Sequence, residues 1–378
     1  MSAKHGLTGS FRLIGCLAAV AMLFAATFTS VASAKTPLKP TAYVALGDSL
    51  SFGYKAATFN ANKAAHKTAC EAAATAAGKG EAALAQIEGA KCEPQAFFEP
   101  GFVGEFGAKL AKTEKTAGNA LATVNLGCPG ETSDGLIGHN EAFGGGPGPE
   151  YNPCAYHDLA GYPLKTAIGS SSELEAAAGL IESKNDGEVT AVSLQIGSND
   201  ELQVVGKCEN PKYLAEHSFP SIVACIGHEA GPEGFAFSGG VFAHILNNIG
   251  ASIKVIRGAG YTGTVLLIGF YNPDATILAG SDGLDKVLNE SLEATVAGNV
   301  YGEGVKVAQP FPKFNPEAPL YKEGETSKEK EKLEKKENKA ICKYTEMCPG
   351  GVFPSLAGDI HPTAAGYAAI AKIMTAAF

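Results

Sequence analysis

Four short blocks, far apart in the chain, hold the residues best suited to chemistry: Gly47-Asp48-Ser49, Gly127-Cys128-Pro129-Gly130-Glu131-Thr132-Ser133, Gly197-Ser198-Asn199-Asp200 and Gly358-Asp359-Ile360-His361-Pro362. A serine hydroxyl is a weak nucleophile until a neighbouring imidazole takes its proton, so Ser49 and His361 are a candidate nucleophile and base. Gly130 has no side chain to block approach to its backbone N–H, and Asn199 carries an amide N–H. Both donors suit a developing oxyanion. Asp359 stands two residues before His361, and alternate residues of an extended segment face the same way, so its carboxylate can hold the ring nitrogen turned away from Ser49. The other reading of Asp359 is a turn residue, with a backbone carbonyl or water orienting the imidazole. Each block alone also suits a turn or helix cap, because Gly, Asp, Asn and Ser favour both.

Positioning four distant blocks at one place requires a sheet. Apolar, β-branched runs at 42–46, 120–126, 189–196, 264–268 and 305–308 read as strands. Between them, 98–110, 171–181, 239–256 and 284–296 carry helical periodicity, and an apolar helix closes the chain after His361. In the helix at 239–256, Phe242, Ile245, Leu246, Ile249, Ile253 and Ile256 share one face. Strands alternating with helices specify an α/β fold with a mostly parallel five-stranded sheet covered on both faces. Ser49 and Asn199 then follow strand ends, where open α/β sheets bind ligands. His361 reads as a loop residue, since Pro362 keeps it out of the following helix. His139, His157 and His244 have no motif context and read as surface or core residues.

Lys4 and Arg12, an apolar run at 13–28 and Val31-Ala-Ser-Ala34 form a secretory signal cut after Ala34, so residues 35–378 are the expected mature domain and the expected location is extracellular. Leu13-Ile-Gly-Cys16 opens the apolar run instead of ending it, which argues against a lipid anchor. No later run is long enough to span a bilayer. Loss of the two basic signal residues moves the net charge from -9 to about -11, which disfavours nucleic acid as a partner. Eight cysteines remain in an exported chain, and the expected pairing is sequential: Cys70/Cys92, Cys128/Cys154, Cys208/Cys225 and Cys342/Cys348, each closing a local loop. No cysteine or histidine spacing suggests zinc, so no metal is expected. An Ala-rich segment at 56–93 reads as a helical insertion, either a lid or a surface decoration. The stretch 321–339, with seven Lys and six Glu, reads as a solvated helix or a loop without chemistry.

In order and type, the four blocks resemble the Ser, Gly, Asn and His blocks of the SGNH branch of the GDSL hydrolases, over about 330 residues. The resemblance implies a flavodoxin-like three-layer sandwich and a serine esterase or lipase that works through an acyl-enzyme. It implies Ser49 as nucleophile, His361 as base and then acid, and the Ser49 and Gly130 N–H groups with the Asn199 amide as oxyanion donors. It also implies a small-molecule or lipid ester as substrate, no cofactor, and a monomer. Carbohydrate deacetylation and acyl transfer to an alcohol would use the same site, and a non-catalytic binding protein is the rival from another class. One position departs from the family pattern: its acid usually stands three residues before the histidine, where this chain has Gly358. The Gly-x-Ser-x-Gly elbow, the Walker loop and the dinucleotide fingerprint are absent from the sequence.

Overall fold

The apolar runs become strands because their alternate residues find cover on opposite sides. A computed structural model of the chain describes residues 38–58, 60–61, 101–138, 164–166, 168, 172–184, 187–231, 240–278, 280–320, 324–351, 353–355 and 358–378. In chain order these form β1 (Lys39–Gly47), α1 (Ser49–Phe52), α2 (Gly101–Thr116), β2 (Asn119–Asn125), α3 (Ser133–Leu136), α4 (Glu173–Glu182) and β3 (Val189–Gln195). There follow α5 (Ser198–Cys208), α6 (Pro211–Glu216), α7 (Ile222–Ala230), α8 (Gly240–Gly258), β4 (Val265–Ile268), α9 (Ser281–Ala297) and β5 (Val305–Ala308). The chain ends with α10 (Phe311–Phe314), α11 (Ser327–Tyr344), β6 (Thr345–Glu346), β7 (Asp359–Pro362) and α12 (Ala364–Ala377). Residues Leu38–Phe378 make one unit.

The main sheet has five strands in the order β2-β1-β3-β4-β5, every pair parallel. This is the flavodoxin-like order, in which the topology reverses between β1 and β3. Val44 and Leu46 of β1, Val192 and Leu194 of β3 and Leu267 of β4 pack on one face against α4, α8 and α9 through Ile181, Ile249 and Leu288. Tyr43, Ala45, Ala191 and Leu266 pack on the other face against Phe102 and Phe106 of α2 and Tyr367 and Met374 of α12. Each large side chain so buried contributes about 1.5–3 kcal/mol, which is why strands covered on both faces read as unbroken apolar runs. The observed sheet is wholly parallel, where mostly parallel was expected. The strand positions agree with the sequence reading to within a few residues.

Two regions differ from expectation. His361 lies in a strand, not a loop: β7 pairs antiparallel with β6, Glu346 opposite Asp359. The partner is a two-residue strand just after the charged helix, too short to be read from alternation. The charged stretch forms most of α11, opened by a Thr326/Glu329 capping box, and its end is docked instead of solvated. Glu337 there is fully buried and accepts from Asn315 Nδ2 at 2.8 Å and Glu317 N at 3.0 Å. Cys208 is bonded to Cys225 and Cys342 to Cys348, as expected, and Cys128 is also disulfide-bonded. The signal segment 1–34, Cys70, Cys92, Cys154, His139, His157, residues 321–323 and nearly all of the Ala-rich segment lie outside the described residues.

Candidate active site

Ser49 begins α1 directly after β1, and the turn that presents it is held by backbone contacts. Gly47 has φ +138°, and a Cβ there would sit 1.9 Å from the Gln195 carbonyl oxygen, so only glycine fits. Asp48 N donates to that same carbonyl at 3.1 Å, which stitches the ends of β1 and β3 together. The Asp48 carboxylate caps α1 by accepting from Leu50 N at 2.9 Å and takes a second bond from Gln195 Nε2 at 3.2 Å. Complete burial raises Asp48 to about 7, against the pull of those donors and of Ser198, with the Asp200 charge adding to the rise. Glu173, at the start of α4, accepts from Gly47 N. Burial lifts Glu173 well above the carboxylate range, helped by the charges of Glu131 and Asp48. Two buried carboxyls thus brace the turn from beneath, leaving the Ser49 side chain half-buried.

His361 arrives from the far end of the chain. Its Nε2 stands 2.7 Å from Ser49 Oγ and its Nδ1 2.5 Å from Asp359 Oδ1. Asp359 also accepts from His361 N at 3.1 Å and, on its other oxygen, from Ala56 N at 2.7 Å. Partial burial works to raise its pKa, but the side-chain bond and charge of His361, together with the Ala56 and His361 N–H groups, hold it below the usual carboxylate range. An ionised carboxylate only accepts, so in the neutral imidazole Nδ1 carries the proton and Nε2 is free to accept from Ser49. In this geometry the group on Nδ1 is the Asp359 carboxylate rather than a backbone carbonyl. A Cβ at position 358 would lie 2.3 Å from the Met347 carbonyl oxygen. No side chain fits there, so the carboxylate occupies the next residue.

The Gly130 loop and Asn199 are tied to the same corner. Cys128 N donates to Gly47 O at 2.8 Å, and Asn125 Nδ2 to Ser51 O at 2.8 Å. Gly130 takes φ +82°. Asn199 Nδ2 donates to Glu131 O at 2.8 Å, which uses one of its two hydrogens and leaves the other. Among the described residues, neither Ser49 N nor Gly130 N donates a backbone hydrogen bond. All five sequence-derived site residues therefore belong to one contiguous corner at the β1/β3 reversal.

No protein-family model matches the sequence, and no curated protein matches it. Solved structures similar to this chain include lipolytic enzymes. One is the lipase Lip_vut3 from a goat rumen metagenome, with a TM-score of 0.40 and 16% identity over 89% of this chain and 96% of that one. Another is phospholipase A1 from Streptomyces albidoflavus NA297, with a TM-score of 0.40 and 15% identity over 90% of this chain and 100% of the other. A third is a member of the lipolytic protein G-D-S-L family from Veillonella parvula, with a TM-score of 0.39 and 12% identity over 89% of this chain and 98% of its own. The chemistry of the site follows from its own atoms.

Ser49, Asn199, Tyr271 and Ile360 open onto a cavity of about 100 Å³ that runs between α5, α7, α8 and α9. Part of its wall is apolar, with Val205, Ile226, Val241, Phe242, Leu278 and Leu284. Glu201, Asp274 and Asp285 also line it, and among the described residues no basic side chain does. Burial raises Asp274 to about 6, with the Glu209 charge assisting. Several residues around the site carry no local sequence signal. Tyr271 donates to the Ile360 carbonyl at 2.9 Å, and the Tyr54 ring lies 4.6 Å from the His361 ring. Tyr54 stands five residues past Ser49 and was within reach of motif reading. Tyr271, Glu173 and His244 were not, because their partners come from distant elements.

Proposed function

We propose that this chain is a serine hydrolase of carboxylic esters. The observation that carries the proposal is the 2.7 Å approach of His361 Nε2 to Ser49 Oγ, with Asp359 on the opposite ring nitrogen. In this reading Ser49 Oγ attacks the ester carbonyl carbon as its proton passes to His361 Nε2, and Asp359 stabilises the imidazolium that forms. The oxyanion takes hydrogen bonds from Ser49 N, Gly130 N and the second Asn199 amide hydrogen. Collapse breaks the bond to the alkoxide, which leaves with the proton from His361, and the acyl group remains on Ser49. Water then attacks the acyl carbon, His361 accepts its proton, and the acid is released as Ser49 recovers its hydrogen.

The apolar wall beside Ser49 supports an ester with an aliphatic or aromatic acyl group, and the carboxyls of Glu201, Asp274 and Asp285 there disfavour an anionic one. Export behind the signal at 1–34 fits the disulfides Cys208–Cys225 and Cys342–Cys348. Turnover of p-nitrophenyl esters from acetate to palmitate tests the proposal. Hydrolysis that is lost in Ser49→Ala and in His361→Ala supports it. Equal turnover by parent and Ser49→Ala would exclude Ser49 as the nucleophile.

A further inference from the structure

The two candidate oxyanion groups that are not on the nucleophile itself, Gly130 and Asn199, follow different strands, and a polar bridge outside the corner joins their supports. Asp200, the residue after Asn199, is fully buried and accepts from both Ser133 N at 2.9 Å and Ser133 Oγ at 2.6 Å. Ser133 opens α3, three residues beyond Gly130. Helix α8 reaches this bridge with two side chains one turn apart. Asn248 Nδ2 donates to Ser133 Oγ at 2.9 Å and to Asp134 Oδ1 at 2.9 Å. His244 Nε2 lies 2.8 Å from the same Asp134 oxygen and 3.1 Å from Asn248 Nδ2, and in the tautomer protonated at Nε2 it donates to Asp134. Asp134 and Asn248 are buried, so an Asp134 carboxylate that lost these donors would be left partly unsatisfied and would move or draw in water.

We infer that His244 and Asn248 are positioning residues of the reaction, latching α3 to α8 so that the Gly130 N–H and the Asn199 amide converge on one oxyanion. They touch neither the ester nor Ser49; they act through Asp134, Ser133 and Asp200. A donor pair carried on two strand ends needs such a brace. The sheet fixes where β2 and β3 stop, but the residues after a strand end have no ladder to hold them, and a shift of a fraction of an ångström weakens an oxyanion bond more than it weakens ester binding. The inference rests on the ester hydrolase reading above.

The test measures kcat and KM of the full chain for p-nitrophenyl butyrate in Asn248→Leu, His244→Leu and His244→Gln. His244 is partly buried, with 15% of its side chain exposed, whereas Asn248 is buried, so His244→Leu is the milder change and remains informative if Asn248→Leu fails to fold. The expected result is a kcat lower by about tenfold in both leucine variants with KM unchanged, and recovery in His244→Gln, whose amide can again donate to Asp134. A kcat in His244→Leu equal to the parent's, or a His244→Gln as slow as His244→Leu, overturns the inference. Failure of the underlying reading is seen separately, as a parent whose turnover survives Ser49→Ala.

Discussion

The proposed nucleophile and the proposed base are held by different means. Ser49 stands at the end of β1, and its turn is fixed mainly by main-chain contacts, Gly47 against Gln195 O, Asp48 N on Gln195 O and Cys128 N on Gly47 O, with the buried Asp48 and Glu173 carboxyls beneath them. His361 stands on a four-residue strand outside the main sheet, paired with only two residues. It is kept in place by side chains and a crosslink: Tyr271 on Ile360 O, Asp359 on Ala56 N, and the Cys342–Cys348 bond that spans β6. One half of the site is thus a consequence of folding the sheet, and the other is fastened to it afterwards. Damage to the first should cost the fold, whereas damage to the second should cost turnover.

A pair of glycine substitutions puts the largest load on that contrast. Gly47→Ala should destabilise the chain by about 4 kcal/mol or more, since both its φ and the Gln195 backbone resist a Cβ, and little soluble protein is expected. Gly358→Ala meets the Met347 backbone instead, and should give a folded protein by circular dichroism with turnover abolished. Similar yields and melting temperatures for the two variants would break the comparison. Next in size, Asp359→Asn should lower kcat about 100-fold or more, because the amide can present the wrong partner to Nδ1, with the melting temperature little changed. A near-parental rate would remove Asp359 from the mechanism.

The disulfides sharpen the same point. By loop length alone, replacing Cys342 and Cys348 with Ser should cost about 2 kcal/mol, and replacing Cys208 and Cys225 about 3 kcal/mol. Only the first pair flanks β6, so only the first should lower kcat in the surviving folded protein, several-fold by stopped assay below the melting temperature. Equal effects on kcat would show that β7 needs no crosslink. The smallest effect is on stability against pH. Asp48 at about 7 and Asp200 at about 6 lie above their unfolded values, so their contribution is complete below about pH 4 and is lost as pH rises through 6 to 7. Burial is the main cause in both. Asp359 is shifted the other way, so its contribution is present above the ordinary carboxylate range and lost as pH falls through its lowered pKa. Scanning calorimetry should therefore find a higher melting temperature at pH 5 than at pH 7.5, and the reverse order would contradict the assignment of the buried carboxyls.

The half of the site that belongs to the sheet was legible in the sequence. Residues 42–46 are apolar on both faces and 189–196 are mostly so, interrupted by Thr190, Ser193 and Gln195, which is close to what burial between two helix layers demands, and the glycines after them mark where each strand must turn. The side-chain half was legible only in part. The Asp359/His361 spacing follows from the two-residue repeat of an extended segment, but nothing local says that residues 345–346 would pair with it. The reason is physical: β6 and β7 form through contacts with Tyr344, Met347 and the disulfide, not through their own alternation. The buried polar braces were invisible for a related cause. Glu173, Asp200, His244 and Asn248 sit on helices whose periodicity reports apolar burial, and a buried charge is recognisable only once its donors are known.

The pairing of Ser49 with His361 is the claim on which the rest depends, and a fluorophosphonate probe followed by intact-mass and peptide mapping tests it most directly. One adduct on the peptide that carries Ser49, formed rapidly by the parent and slowed at least about 100-fold in His361→Ala, is the predicted result. An adduct on another residue, or the same labelling rate with and without His361, would contradict it.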